Sequence, residues 1–345
     1  MVSKTYPMGM VSAPRQIAFV ERNLRQPEAD EVLIAVRASS ICGSDLHVYQ
    51  GKHPSAALPS AVGHAIAGDV LQIGPDVSLF QIGDRVTVEP VVTCEKCHFC
   101  LRGAYHLCTN ISFQYRIGQG GFAPFFIVRE RWAHHLPKQL SDQEGALIEP
   151  LAVAVHAVRQ ANIQPGHAVA IFGAGAIGLL VLQVARAVGA GSIIVIDISE
   201  FRLDMARRLG ATFTFDNRQG DLLADIQERT EGLGVDRAFE VVGLETTLLQ
   251  TIGSLRKGGR GVVLGIFEEP QVSLSANIFV QREITLTGSQ GYNWDFQTAL
   301  ELAGSGRVDL KPMITHQLPL PSLAQAFELI YAPPRETVKV VLTPT

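Results

Sequence analysis

HAVAIFGAGAIGLLVLQVARAVGAGSIIVID, residues 167–197, reads as a buried strand, a helix and a second buried strand. The first apolar run ends in Gly173-Ala174-Gly175-Ala176-Ile177-Gly178, a G-x-G-x-x-G that opens the helix. That context gives each glycine a physical task. Gly173 makes the tight turn, Gly175 lets backbone approach a pyrophosphate, and Gly178 lets helix and sheet pack closely. Ala176 and Ile177 begin the helix, whose unpaired N–H groups and positive dipole end suit phosphate. Asp197 follows Gly178 by nineteen residues at the end of the second strand, where a carboxylate accepts hydrogen bonds from ribose hydroxyls. A negative charge there repels a 2′-phosphate, so the expected cofactor is NAD rather than NADP. Arg202, on the following helix, is placed beside the adenine.

The alternation continues outward through ATFTFD, DLLADIQERTEG, VDRAFEVVG, LETTLLQTIGSL and GRGVVLGIF. Strands alternating with helices imply a doubly wound parallel sheet, assigned to residues 151–284. Val242, Gly243, Leu264, Gly265, Ile266 and Ser289 fall at strand ends, where they are expected to face a nicotinamide. Residues 1–150 carry short β-branched runs bounded by Gly, Pro and Asp, among them EVLIAVRAS, AIAGDVLQIG, DRVTVEP and FFIVRE. They predict a β-rich domain, and residues 285–345 are expected to return to it. The fold class is therefore α/β.

The 345 residues, 47% of them hydrophobic, suffice for two domains. A net charge of −4 without basic blocks gives no nucleic-acid footprint. No apolar run approaches a membrane span, and MVSKTYPMGMVSAPRQ does not resemble a signal peptide, so a cytoplasmic protein is expected. In a reducing compartment, four cysteines within fifteen residues indicate metal ligation. Cys94, Cys97, Cys100 and Cys108 form CxxCxxCx7C in a lobe at about residues 90–110. Four thiolates close a tetrahedral zinc site of structural type, although an iron–sulfur cluster accepts the same donors. Cys42, His64 and Glu149 form a plausible three-ligand catalytic zinc site with one position open.

With those motifs assembled, the chain resembles the zinc-dependent medium-chain dehydrogenase/reductase family over essentially its whole length. The residues that carry the resemblance are ICGSDLH, VGH, GDRVTVEP, the cysteine lobe, IEPLAVAVHA, FGAGAIG and VIDIS. It looks closest to the polyol branch, which includes sorbitol, galactitol-phosphate and butanediol dehydrogenases, because Glu149 stands where classical alcohol dehydrogenases place a cysteine. The resemblance implies a GroES-like catalytic domain, a Rossmann domain, NAD, and one structural and one catalytic zinc per chain. It implies that Cys42, His64 and Glu149 hold the catalytic zinc and that Ser44 hydrogen-bonds the alcohol. A proton relay through the nicotinamide ribose to His47, and Asp45 behind His64, are implied with it. Tyr49 and Phe113 are expected to line the substrate pocket with Glu149. The substrate is expected to be a polyol or vicinal diol oxidised at a secondary hydroxyl, and the chain a homo-oligomer, tetramer or dimer.

Three departures stand out. The family's Gly-His-Glu is here Gly63-His64-Ala65, the arginine of sorbitol dehydrogenases is Gly291, and Ala123-Pro124-Phe125 replaces the frequent Ala-Glu-Tyr. Ala65 cannot coordinate a metal, which leaves open a non-enzymatic NAD-binding protein. A threonine-type amino-alcohol dehydrogenase is the alternative within enzymes.

Overall fold

The computed structural model describes residues 5–53, 56–332 and 336–344. Two compact units emerge, one of residues 1–150 with 310–345, the other of residues 151–309. The N-terminal stretch MVSKTYPMGMVSAPRQ lies partly outside the described residues, and its Thr5–Ala13 portion is a strand.

The first unit begins with β1 (Thr5–Ala13), β2 (Gln16–Asn23) and β3 (Glu31–Ser40). Helix α1 (Gly43–Tyr49), β4 (Ser60–Ala61), β5 (Ala65–Ile73), β6 (Arg85–Val88) and β7 (Val91–Val92) follow. The series closes with β8 (Ser112–Phe113), β9 (Phe125–Arg129), β10 (Ala133–His135), α2 (Asp142–Gly145) and α3 (Ile148–Ala161). The units divide within α3, between Pro150 and Leu151. β3 is the central strand. It pairs antiparallel with β5 and β9, and its burial is nearly continuous because sheet partners and side-chain layers enclose it. A core of Val11, Ile41, Val62, Phe122, Leu323 and Phe327 fills this unit.

The second unit alternates as the sequence predicts. β11 (Val169–Phe172), α4 (Ala176–Ala187), β12 (Ile193–Asp197), α5 (Glu200–Arg208) and β13 (Phe213–Asp216) form its first half. α6 (Leu222–Glu228), β14 (Val235–Glu240), α7 (Glu245–Ser254), β15 (Leu255–Val263), α8 (Asn277–Arg282) and β16 (Thr285–Gly288) form the second, before α9 (Phe296–Gly304). The strand order β13-β12-β11-β14-β15-β16 is parallel throughout and reverses direction at β11/β14. Ligands of such sheets sit at the carboxyl ends of the strands, at that switch point. Phe172 pairs with both Ile196 and Glu240, Glu240 with Val263, and Val263 with Gly288. One line of residues thus carries the glycine loop, Asp197, Val242, Leu264 and Ser289 to the same edge.

Two boundaries differ from expectation. The chain returns to the first unit at Leu310, not at residue 285. Thr285–Gly288 adds a sixth strand to the parallel sheet beside β15, and α9 stays in that unit. β15 also starts at Leu255 rather than near Gly259, with a register shift against β14 between Leu255 and Arg260, a stretch in which Gly258 has φ +72°. Beyond α9 the tail supplies β17 (Ile314–Pro319), α10 (Leu323–Tyr331) and β18 (Lys339–Thr343). β18 lies between β17 and β3, so the end of the chain completes the first unit's sheet.

The glycine loop shows why its residues are glycines. A Cβ on Gly178 would lie 1.8 Å from the Gly173 carbonyl oxygen, and Gly173 itself has φ +111°. At Gly175 a Cβ would meet nothing within 4 Å, which leaves the backbone open to an incoming group. Gly178→Ala is therefore expected to lower stability by about 1–3 kcal/mol through overpacking. Thermal unfolding checks this, and an unchanged midpoint would show that the loop relaxes freely.

Candidate active site

Cys42 caps the N-terminus of α1, which carries Ser44, Asp45 and His47. Ser44 and His47 are three residues apart, so they share a helix face. Asp45 is buried, and its carboxylate accepts from the backbone N–H of Cys42 at 3.0 Å and of Gly63 at 3.0 Å. Gly63 has φ +84°, and a Cβ there would press on Phe122 backbone at 2.8 Å. This turn delivers the next residue, His64, to Asp45. His64 Nδ1 faces Asp45 Oδ1 at 3.5 Å, and Nε2 faces Glu149 Oε2 at 4.0 Å. Glu149 comes from the first turn of α3.

The donor atoms of Cys42, His64 and Glu149 lie within 4.8 Å of one another. Glu149 Oε2 is buried without a hydrogen-bond partner. Burial pushes the Glu149 carboxyl up, while Cys42, despite its burial, is held below the ordinary thiol range by His64 and Lys339. One half-buried sulfur with a buried imidazole nitrogen and a buried carboxylate oxygen, mutually close, fit a zinc ion with an open position.

The cysteine lobe is equally well assembled. Cys97 and Cys100 sulfurs are 3.5 Å apart, as are those of Cys94 and Cys108, and all four lie within 4.8 Å. A tetrahedron with metal–sulfur bonds of about 2.3 Å has edges of about 3.8 Å, so the set fits zinc. Backbone N–H groups of Cys100 and Thr109 hold Cys97 down at about 5, whereas burial and neighbouring sulfurs push Cys100 up to about 12. Four sulfurs in this space cannot all ionise without a cation among them.

In the second unit Asp197 stands beside the glycine loop. Its carboxylate accepts from Ala174 N–H at 2.6 Å and from Ile198 and Ser199 N–H at 2.8 and 2.9 Å. Gly175 offers the open backbone, so loop and acid together fit a dinucleotide. Arg202 follows on α5. Val242 and Ile266 are exposed at the strand ends, with Gly243, Leu264 and Gly265 between them, and Ser289 N–H donates to Val263.

Tyr49 is not where the sequence reading put it. Its ring lies in the core, 4.7 Å from Phe327, and its hydroxyl donates to Glu328, so it does not line an open pocket. Burial and that carboxylate push the phenol up to about 12. Phe113 stacks on Tyr115 at 5.6 Å, and it is Tyr115 that lies 5.7 Å from the His64 ring. Three further residues were missed. Tyr115 lies in a short 3-10 turn, Gln114–Ile117, directly after the strand that ends at Phe113. Buried Lys339 donates to Ile41 O at 2.9 Å and approaches Ser40 Oγ at 3.4 Å. Ser40 is cross-strand from Ala65, so this ammonium stands near the position where the resemblance expects Glu. Glu240 is fully buried, and its Oε1 accepts from Val242 N–H, Gly243 N–H and the Thr247 hydroxyl. It therefore shapes the turn at the end of β14.

Two family models match the chain, the alcohol dehydrogenase GroES-like domain over residues 28–138 and the zinc-binding dehydrogenase over residues 176–305. The chain is 35% identical to a sorbitol dehydrogenase of Bacillus subtilis, over 99% of both chains. It belongs to the zinc-dependent medium-chain dehydrogenase/reductase family, in the polyol branch. Its fold superposes on 2R,3R-butanediol dehydrogenase from Bacillus subtilis with a TM-score of 0.90 and 33% identity, covering 99% and 100% of the two chains. A zinc-binding dehydrogenase from Sinorhizobium meliloti, bound to NADP, gives a TM-score of 0.93 at 29% identity over 99% and 100%. The chain is thus a dehydrogenase, and the reading as a non-enzymatic binding protein falls. Among the described residues, no helix is long and apolar enough to cross a membrane.

Asp45→Asn removes the charge that faces His64 Nδ1 and is expected to weaken metal binding about 10- to 100-fold. Competition with a chromogenic chelator measures this, and an unchanged affinity would remove Asp45 from the metal site's support.

Proposed function

We propose that this dehydrogenase oxidises a secondary hydroxyl of a polyol or vicinal diol with NAD, and reduces the matching ketone in reverse. The convergence of Cys42, His64 and Glu149 donors carries the reading. The similarity to a sorbitol and a butanediol dehydrogenase supports the substrate class. Zinc at that donor set would supply Lewis acidity, and a dinucleotide on the glycine loop a hydride acceptor.

The chain's own residues do the rest. Ser44, one turn of α1 from His47, would accept a hydrogen bond from the substrate hydroxyl and, as it takes that proton, pass its own onward toward His47. His47 would move that proton outward, a task suited to imidazole near neutral pH. Asp45 would keep His64 oriented with Nε2 toward Glu149. Asp197 favours NAD, because its carboxylate would repel a 2′-phosphate. Cys94, Cys97, Cys100 and Cys108 would hold a second, structural zinc. The family resemblance supports a homotetramer or dimer, and the lack of a signal-like or membrane-length apolar run in the sequence supports a cytoplasmic location.

Elemental analysis of protein purified without chelator is expected to give two zinc per chain, and Cys97→Ser one. One zinc in the unaltered protein would mean that Ala65 has cost the catalytic site its metal. NADH absorbance with a polyol and diol panel is expected to show NAD-linked turnover, with NADP at least about tenfold poorer. No turnover on any member would reject the substrate class.

A further inference from the structure

One group of side chains beside the donor set has no part in the chemistry above. Phe113 and Tyr115 form a stacked aromatic pair, 14° from parallel, that begins 5.7 Å from the His64 ring. The guanidinium carbon of Arg116 lies over both rings, 5.6 Å from the Phe113 centroid and 5.8 Å from that of Tyr115. Arg116 is exposed, Phe113 half-buried and Tyr115 buried. A strong, permanently charged donor is therefore held at the rim of an aromatic floor whose inner end reaches His64. His53 lies within electrostatic reach of Arg116.

Arg116 is the permanent cation at this rim. Asp45 is already committed to the backbone N–H groups of Cys42 and Gly63. Burial and the Arg116 charge hold His53 below the ordinary imidazole range. An arginine so placed suits planar, bidentate recognition of carboxylate or phosphate.

We propose that the substrate is an anionic polyol, its phosphate or carboxylate seated on Arg116 with His53 beside it. Its secondary hydroxyl then reaches the donor set of Cys42, His64 and Glu149, and its carbon chain lies on the Phe113–Tyr115 floor. The inference rests on reading this site as the alcohol-binding one, and it narrows the substrate from polyols in general to charged ones.

The test compares three ligands of one carbon skeleton: sorbitol, sorbitol 6-phosphate and gluconate. Each is titrated calorimetrically into zinc-loaded protein saturated with NADH, which cannot oxidise an alcohol. A charged ligand is expected to bind about 10- to 100-fold tighter than sorbitol, the range of a charge-assisted hydrogen bond or two. A gain for sorbitol 6-phosphate assigns a polyol phosphate, and a gain for gluconate alone assigns a sugar acid. Arg116→Gln is expected to remove most of the preference, Arg116→Lys to restore part of it, and added salt to narrow it. Equal affinities for all three ligands would overturn the proposal, as would a preference that survives Arg116→Gln. NADH formation with the same ligands separates the two readings. Turnover without anion preference overturns this inference alone, and anion preference without turnover of any alcohol overturns the reading of the reaction.

Discussion

Two backbone N–H groups, from Cys42 and Gly63, converge on the buried carboxylate of Asp45. The contact joins the start of α1 to the turn before β5. A carboxylate taken out of water is costly unless its oxygens are satisfied, and here each oxygen has a donor. That requirement fixes the spacing between Cys42 and His64. It also aims Nδ1 of His64 inward and leaves Nε2 for Glu149. Without it, two metal donors would sit on separately adjustable loops.

The second unit depends on a different constraint, the absence of side chains. Helix α4 can approach the loop before it only because Gly178 has no Cβ, and Gly173 turns the chain into the left-handed region. The loop then presents bare backbone at Gly175. Asp197 ties down the same loop through Ala174 N–H. A carboxylate that holds its own loop must exchange or share those donors when ribose hydroxyls arrive. Glu240 plays a comparable part at the next strand end, where its buried oxygen gathers three donors.

Much of this was legible in the sequence because strands of a parallel sheet are covered on both faces. VAIF and IIVI therefore read as apolar runs between helices. Ligand types at short spacing marked the cysteine lobe. Cys42, His64 and Glu149 were singled out by ligand type beside the other motifs, and the family resemblance then joined them as one ligand set, since their separation in sequence says nothing of their proximity. β16 was missed because TLTG is an edge strand, partly exposed, with no apolar run to mark it. Tyr49 misled because α10, which encloses it, lies some 280 residues further on, and no local pattern reports that contact. Lys339 was invisible for the same reason.

The position of β18 shapes how the molecule must be made. Residues 151–309 are contiguous and close their own sheet, so this unit can fold as soon as it leaves the ribosome. The first unit begins earlier but cannot complete its sheet until Lys339–Thr343 slides in beside β3. The Ser39–Ser40 end of its central strand, beyond the pairing with β9, waits unpaired on that side until β18 arrives, and exposed edges invite pairing with other chains. The unit translated first is the one finished last. Lys339, whose charge with His64 pulls the Cys42 thiol below its ordinary range, arrives with that same strand.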